Sequence, residues 1–152
     1  MQPLEHILTR ERTLCRAPGV SKKRLFETIA RMIADDQLFL PHTDVFNQLI
    51  AREKLGSTGL GRGIAIPHCR VGNCTHAIGG LVTLDAPIEF DAPDDLPVDL
   101  LFVLLVPQEA HQQHLDILAS IAGLFQQEEF CRQLRSAGTA AELHSIATTW
   151  NV

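Results

Sequence analysis

The stretch VDLLFVLLV, residues 98–106, is almost continuously apolar, and the predicted fold is built around it. A β-strand has this pattern when both of its faces are buried, whereas a half-exposed strand alternates apolar and polar residues. Pro107 ends the stretch, because proline lacks the N–H that a strand ladder needs. The stretch is also far shorter than the roughly 20 apolar residues of a membrane-spanning helix. We therefore predict a central strand at 98–106 and no membrane insertion.

Five other segments have the apolar periodicity or the capping residues of α-helices. In chain order they span 21–35, 41–55, 110–125, 128–135 and 139–148. The short runs 64–66 and 77–84 have the composition of strands. Helices that alternate with strands predict an α/β fold, with a sheet covered by helices on both faces. We expect one domain over residues 1–152, in which the chain from Glu128 onward forms a helical tail.

The composition is that of an ordinary globular protein, since 45% of the 152 residues are hydrophobic and 20% are charged. The formal net charge of −5 argues against a nucleic-acid partner, because phosphate backbones are bound by basic surfaces. The N-terminus lacks the apolar segment of a signal peptide, so we expect a cytoplasmic location. The four cysteines have no framework spacing, which is typical of free thiols in a reducing compartment.

A glycine-rich segment, STGLGRGIAIPHCRV at 57–71, connects the second predicted helix to the next strand. Glycines permit positive φ and leave backbone N–H groups uncovered, which suits an anion of the size of phosphate. The candidate anion-binding residues are Ser57, Thr58, Gly59, Gly61, Arg62 and Gly63. The glycines are not followed by the helix of a dinucleotide-binding motif, and no lysine–serine/threonine pair completes a P-loop. ATP or NAD binding is therefore not expected.

Two histidines and an arginine offer the chemistry of phosphoryl transfer. Imidazole is a neutral nucleophile at about pH 7 and can take up a phosphoryl group. Catalysis then needs mainly positioning, positive charge and N–H donors around the phosphoryl oxygens. His68 follows the 64–66 strand, and His114 lies in the first turns of the 110–125 helix, at the same sheet edge. We predict His68 as the nucleophile, with His114 and Arg52 as supporting groups.

Other residues compete for these roles. His111 lies one turn before His114, while Arg62 and Arg70 are alternatives to Arg52 as the cation. The neighbouring residues His68, Cys69, Cys74 and His76 raise the question of a zinc site. A C-x4-C pair with flanking histidines fits no common zinc spacing, so we expect no metal.

Four stretches of the chain are similar to one known family. They are SKKRLFETIA (21–30), REKLGSTGLGRGIAIPHCRV (52–71), PIEFDAPDDLPVDLLFVLLVP (87–107) and HLDILASIA (114–122). They resemble the enzyme IIA components of the bacterial phosphoenolpyruvate-dependent phosphotransferase system, of the fructose/mannitol type. The likeness is greatest to its nitrogen-regulatory branch. It spans nearly the whole chain, and its G-x-G-I-A-I-P-H pattern is specific.

This resemblance implies a mixed sheet flanked by helices, with no metal and no organic cofactor. It implies that His68 accepts a phosphoryl group from a histidine phosphocarrier protein and that His114 and Arg52 support the reaction. In the nitrogen branch, it implies that regulatory target proteins respond to the phosphorylation state. Two alternatives stay open: a sugar-specific component that passes the phosphoryl group to a IIB domain, and a binding module of the same fold that is never phosphorylated.

The chain departs from the family pattern at two positions. Cys69 stands where glycine or another small residue commonly follows the P-H pair, and Arg62 stands where a neutral polar residue is common. We hypothesise that Arg62 adds a cation beside the phosphoryl group or strengthens docking of an acidic partner. Cys69 would either tighten the pocket or make the site sensitive to thiol reagents.

Overall fold

The computed structural model describes residues 4–150 and contains a six-stranded sheet. The strands are β1 (Leu8–Ala17), β2 (Gly59–Gly61), β3 (Ile64–Ala65), β4 (His68–Val71), β5 (Ile78–Ile88) and β6 (Val98–Pro107). Their order is β1-β5-β6-β3-β2, and β4 also pairs with β6. β6 is parallel to β3 and β4 but antiparallel to β5, so the sheet is mixed. The predicted central strand is confirmed, because β6 lies in the middle and its residues 100–106 are all buried.

Helices flank this sheet at the positions that the sequence predicts. Within residues 4–150 they are α1 (Lys22–Asp36), α2 (His42–Lys54), α3 (Gln112–Leu124), α4 (Glu128–Ser136) and α5 (Ala140–Thr149). The Ser21 hydroxyl accepts a hydrogen bond from the Arg24 N–H at 3.3 Å, which caps α1. The Thr139 hydroxyl caps α5 by accepting from the Glu142 N–H at 3.1 Å. No helix among these residues has the length and apolarity needed to cross a membrane.

The hydrophobic core has one layer on each face of the sheet. α1 and α2 cover the first face, where Phe26 and Ile33 are fully buried. α3, α4 and α5 cover the second face. The prediction of a helical tail from Glu128 onward is therefore wrong, since Phe130 and Leu143 are fully buried in this second layer. Periodicity shows that a helix has an apolar face, but it does not show which surface that face covers.

The first strand, β1, is one that the sequence analysis missed. Its sequence LTRERTLCRA contains several charged residues and lacks a clear alternation. One of them, Arg12, is only 4% exposed. Its guanidinium forms an ion pair with Asp36 and donates hydrogen bonds at 2.8 Å to the carbonyl oxygens of Ile7 and Gly79. Because Asp36 and Gly79 lie far from Arg12 in the sequence, local sequence does not reveal that the strand can be buried.

The β3 and β4 strands position the first candidate site residue. Both pair with β6 in one continuous register, Ala65 with Leu101 and His68 with Leu104. Pro67 lies between them, and its carbonyl accepts a hydrogen bond from the Leu104 N–H at 2.9 Å. His68 therefore begins a strand, whereas the sequence predicted it just after the end of one. Pro67 interrupts the strand because it has no N–H to donate.

Candidate functional site

His68 has a fixed ring orientation. Its Nδ1 lies 2.7 Å from the carbonyl oxygen of Ile66. A carbonyl only accepts hydrogen bonds, so Nδ1 bears the proton and the lone pair of the neutral ring is on Nε2. Burial lowers the pKa of His68 below its ordinary value of 6.5; the Ile66 carbonyl and the charge of Glu53 raise it, while the charge of Arg52 lowers it. The ring is thus held as a neutral imidazole with Nε2 free to react.

His114 lies beside His68. It is the third residue of α3, and the two imidazole centroids are 5.9 Å apart. The side chain is buried, and its Nδ1 has no hydrogen-bond partner among residues 4–150. Burial lowers its pKa, and the positive charges that His68 and Arg70 can contribute lower it further. The competing His111 is exposed at the N-cap position of α3, so the structure pairs His114 with His68.

Two arginines provide positive charge at this pair of histidines. Arg52 is in the last turn of α2, where its Nη1 donates a hydrogen bond to the Gly56 carbonyl at 2.8 Å. Arg70 follows His68 by two residues on β4, so both side chains are on the same face of the strand. Arg70 is half-buried and forms no side-chain hydrogen bond or ion pair with any residue of the described chain. Its guanidinium is therefore available to an anion.

Two adjoining cavities open at His68 and Arg52. The first has a volume of about 350 Å³ and lies between the start of the glycine-rich loop and α3. Besides His68 and Arg52, its lining includes Ser57, Thr58 and Gly59 of the loop. The second has a volume of about 470 Å³ and is lined in addition by His114 and Arg70. The predicted nucleophile and both supporting groups therefore border the second cavity, a recess of a size that admits a phosphoryl group.

The other half of the glycine-rich loop points away from this recess. The Arg62 N–H donates a hydrogen bond to Asp94 at 2.8 Å, and its guanidinium donates to the carbonyl of Phe125 at 3.1 Å. A Cβ on Gly63 would lie 2.8 Å from the guanidinium of Arg135. Gly61 is likewise against Asp94. The structure thus does not bring Gly61, Arg62 or Gly63 to the histidines. The first Arg62 hypothesis, a cation beside the phosphoryl group, has no support in this geometry.

Glu53 is a residue to which the sequence analysis gave no role. Its carboxylate accepts hydrogen bonds from the Thr58 N–H at 2.8 Å and the Thr58 hydroxyl at 2.6 Å. Its charge is offset by Lys22, 2.8 Å away. The only available signal was its position between Arg52 and the glycine-rich loop in the REKLGSTG motif.

Cys69 is buried, although it also borders the second cavity. It is 6% exposed and packs in the core layer beneath α1 and α2. Burial, with a smaller contribution from Cys74, raises the pKa of its thiol to about 12. All the cysteines of the chain are free thiols. Within residues 4–150, no group of three or more histidine, cysteine, aspartate or glutamate side chains is placed to hold a metal ion.

Comparison with known proteins agrees with this architecture. Residues 6–149 match the family described as "Phosphoenolpyruvate-dependent sugar phosphotransferase system, EIIA 2". The chain is 51% identical over 146 residues to a nitrogen regulatory protein of Pseudomonas aeruginosa, covering 94% of this chain and 93% of that one. It is 46% identical over 146 residues to a nitrogen regulatory protein of Escherichia coli, with 95% and 89% coverage.

Solved structures give the same result. The nitrogen regulatory protein IIA-Ntr from Neisseria meningitidis is similar with a TM-score of 0.86 and 43% identity, over 95% of this chain and 99% of that one. IIA mannitol from Escherichia coli has a TM-score of 0.75 with 16% identity, over 92% and 98%, which shows the shared fold alone. The resemblance to the fructose/mannitol-type IIA components and their nitrogen-regulatory branch is confirmed. The chain belongs to the EIIA 2 family of the phosphoenolpyruvate-dependent sugar phosphotransferase system.

Proposed function

We propose that this protein accepts a phosphoryl group on Nε2 of His68 from a histidine phosphocarrier protein, and that regulatory partners in the cytoplasm respond to its phosphorylation state. The observation that most directly supports this is the hydrogen bond between Nδ1 of His68 and the Ile66 carbonyl. It leaves the lone pair of a neutral ring on Nε2, at the recess that Arg52 and His114 also border. A nucleophile of this kind needs no metal or organic cofactor.

The transfer is a displacement at phosphorus. The Nε2 lone pair of His68 forms the new N–P bond, while the bond from phosphorus to the donor's histidine nitrogen breaks and its electron pair returns to the donor ring. The proton on Nδ1 stays in its bond to Ile66, so the His68 ring carries the phosphoryl group without losing its anchor. Arg52 and Arg70 offset the charge on the phosphoryl oxygens, and the imidazole of His114, which borders the same cavity, supplies a further donor beside them.

The rim of the recess suits a protein donor. Three leucines around it are unusually exposed: Leu55 at 85%, Leu60 at 41% and Leu115 at 56%. Leu60 and Leu115 line the cavity next to His68, and Leu55 lines the adjoining one. Exposed apolar groups that border a reactive centre are typical of protein-docking surfaces. We therefore assign this leucine rim as the surface that receives the phosphocarrier.

Phosphorylation would change the character of that surface. A phosphoryl group adds roughly 1.5 to 2 negative charges, which alters the electrostatic fit of every partner that contacts the rim. Identity of 51% to a nitrogen regulatory protein favours this regulatory role. The second candidate is a sugar-specific carrier, because the chain is also 30% identical over 144 residues to a fructose-specific EIIA component of Haloferax volcanii. The lower identity makes this the second choice.

The test is the intact mass of the protein after incubation with phosphoenolpyruvate, enzyme I and a histidine phosphocarrier. We expect the wild type to gain one acid-labile phosphoryl group and the His68→Ala variant to gain none. His111→Ala is the matched control, since His111 is an exposed histidine near the site, and it should be phosphorylated like the wild type. Absence of any gain in the wild type would contradict the proposal and favour a binding module that is never phosphorylated.

A further inference from the structure

We propose that Glu53 is a positioning residue for phosphoryl transfer, which acts by holding Thr58 and the 57–59 loop against His68. The inference rests on the proposed function and adds a part to the same site. Glu53 does not line either cavity at His68, so it does not touch the phosphoryl group itself. Its effect is transmitted through the residues that it binds.

The Glu53 carboxylate is held by three hydrogen-bond donors of the described chain. Oε2 accepts from the Thr58 N–H and faces Nζ of Lys22, both at 2.8 Å, and Oε1 accepts from the Thr58 hydroxyl at 2.6 Å. The carboxylate side chain is only 6% exposed. Hydrogen bonds to a buried charged acceptor are stronger than those between neutral groups. This arrangement joins the last turn of α2 to the glycine-rich loop by two bonds to one residue.

Thr58 lies at the centre of the loop segment that faces His68. Ser57, Thr58 and Gly59 all line the first cavity beside the histidine. The Ser57 hydroxyl donates to the Phe90 carbonyl at 2.8 Å and accepts from the Gly59 N–H at 3.1 Å. The loop is thus held by Glu53 at Thr58 and by Phe90 at Ser57. Loss of the Glu53 bonds would leave Thr58 held by its carbonyl alone, which accepts a hydrogen bond from the Ile66 N–H at 3.0 Å.

Lys22 fixes the carboxylate from the opposite side. Its ammonium also donates to the Phe90 carbonyl at 3.2 Å and lies 4.1 Å from the centre of the Phe90 ring. The same phenylalanine therefore anchors Lys22 and Ser57, so Glu53 is enclosed by a rigid set of contacts. A carboxylate confined in this way keeps Thr58 in one place, which is what a positioning residue requires.

Glu53 also balances the charges around His68. The positive charge of Arg52 lowers the pKa of His68, and the positive charge of Arg70 lowers the pKa of the neighbouring His114. The negative charge of Glu53 has the opposite effect and raises the pKa of His68. Removal of its charge should therefore lower the pKa of His68 further. This change reports the charge of Glu53, separately from its contacts to Thr58.

The experiment measures the initial rate of phosphoryl acceptance from the phosphocarrier as a function of donor concentration and pH. Glu53→Ala should lower the maximal rate about tenfold or more without raising the donor concentration needed for half of it. Thr58→Val, which removes one of the two bonds, should give a smaller loss in the same direction. Asp36→Ala is the matched control, because it breaks the Arg12 ion pair at the far end of α1; it should leave the rate unchanged.

Glu53→Gln separates charge from geometry. The amide can keep the contacts, because the Thr58 hydroxyl can turn to accept a hydrogen bond from it. We expect a nearly normal maximal rate with the acid side of the pH profile shifted to lower pH. A normal rate and pH profile in Glu53→Ala, or unchanged behaviour of both Thr58→Val and Glu53→Gln, would overturn the inference while leaving the proposed function intact. An unphosphorylated wild type would overturn both.

Discussion

The two halves of the glycine-rich loop, residues 57–59 and 61–63, both contain glycine but have different surroundings. The first half lines the cavity at His68 and is held by Glu53. The second half is held by Asp94 and by Arg135, which is in the last turn of α4. It does not line the cavities at the histidines. Glycine spacing therefore shows that the chain turns tightly, but the hydrogen-bond partners of each half decide which half serves the site. This difference can be tested by changing matched residues in each half or beside it.

The sharpest contrast is between two arginines. Arg52→Gln removes a cation that borders the recess, and we expect the rate of phosphoryl acceptance to fall about 100-fold, as for loss of a transition-state donor. Arg62→Gln removes one hydrogen bond to the Phe125 carbonyl and should lower the free energy of unfolding by about 1 kcal/mol with an unchanged rate. Assays of the phosphoryl acceptance rate and denaturant unfolding of both variants measure these two effects. Equal rate losses would mean that Arg62, and with it the second half of the loop, also serves the site.

A second contrast is between two glycines. A Cβ on Gly59 would lie 2.8 Å from Cβ of Ala92 and displace the half that lines the cavity. Gly63 has a φ of +80°, which a side chain would strain. Gly59→Ala and Gly63→Ala should each destabilise the fold by about 1–3 kcal/mol. Only Gly59→Ala should also slow phosphoryl acceptance, by about tenfold. If Gly63→Ala slowed phosphoryl acceptance and Gly59→Ala did not, the second half of the loop, rather than the first, would serve the site.

The pH dependence tests the burial of the two histidines. Burial lowers the pKa values of His68 and His114 from 6.5, so His68 stays neutral and reactive at pH values where an exposed histidine is charged. The acceptance rate should therefore hold below pH 6.5 and fall only as the pH passes through the lowered value. The unfolded chain takes up protons near its ordinary pKa, so stability should also decrease as the pH falls below about 6.5. A rate midpoint above 6.5 would contradict this environment.

The smallest effect is expected at Cys69. Its thiol is buried and has a pKa raised to about 12, so thiolate is scarce and an alkylating reagent has little access. The folded protein should resist alkylation at Cys69, as measured by peptide mass, and Cys69→Ser should be phosphorylated at a normal rate. Rapid alkylation with loss of phosphorylation would restore the hypothesis of a thiol-sensitive site.

Local signals in the sequence predicted much of the fold. The apolar run of β6 and the caps at Ser21 and Thr139 depend on neighbouring residues alone, so they could be recognised without the structure. β1 could not, because its buried Arg12 depends on Asp36 and on the distant Gly79 carbonyl. Similarly, nothing near Glu128 indicated that the last two helices complete the second core layer.

The candidate site divides in the same way. His68, His114 and Arg52 were predicted because their chemistry and the family motif single them out, and the structure places them around one recess. The roles of these residues remain predictions until phosphorylation is measured. The direction of the second half of the loop depends on Asp94 and Arg135, which lie far along the chain. Glu53 escaped notice because its burial and its pairing with Lys22 are visible only in three dimensions.

The central claim is that Nε2 of His68 accepts the phosphoryl group because Nδ1 is bound to Ile66. The most direct measurement is nitrogen NMR of the phosphorylated protein, labelled with ¹⁵N in its histidine rings and assigned by comparison with His68→Ala. We predict that one ring changes on phosphorylation, that it is His68, and that the bonded nitrogen is Nε2 while Nδ1 keeps its proton. A phosphoryl group on Nδ1 of His68, or on any other histidine, would contradict the account.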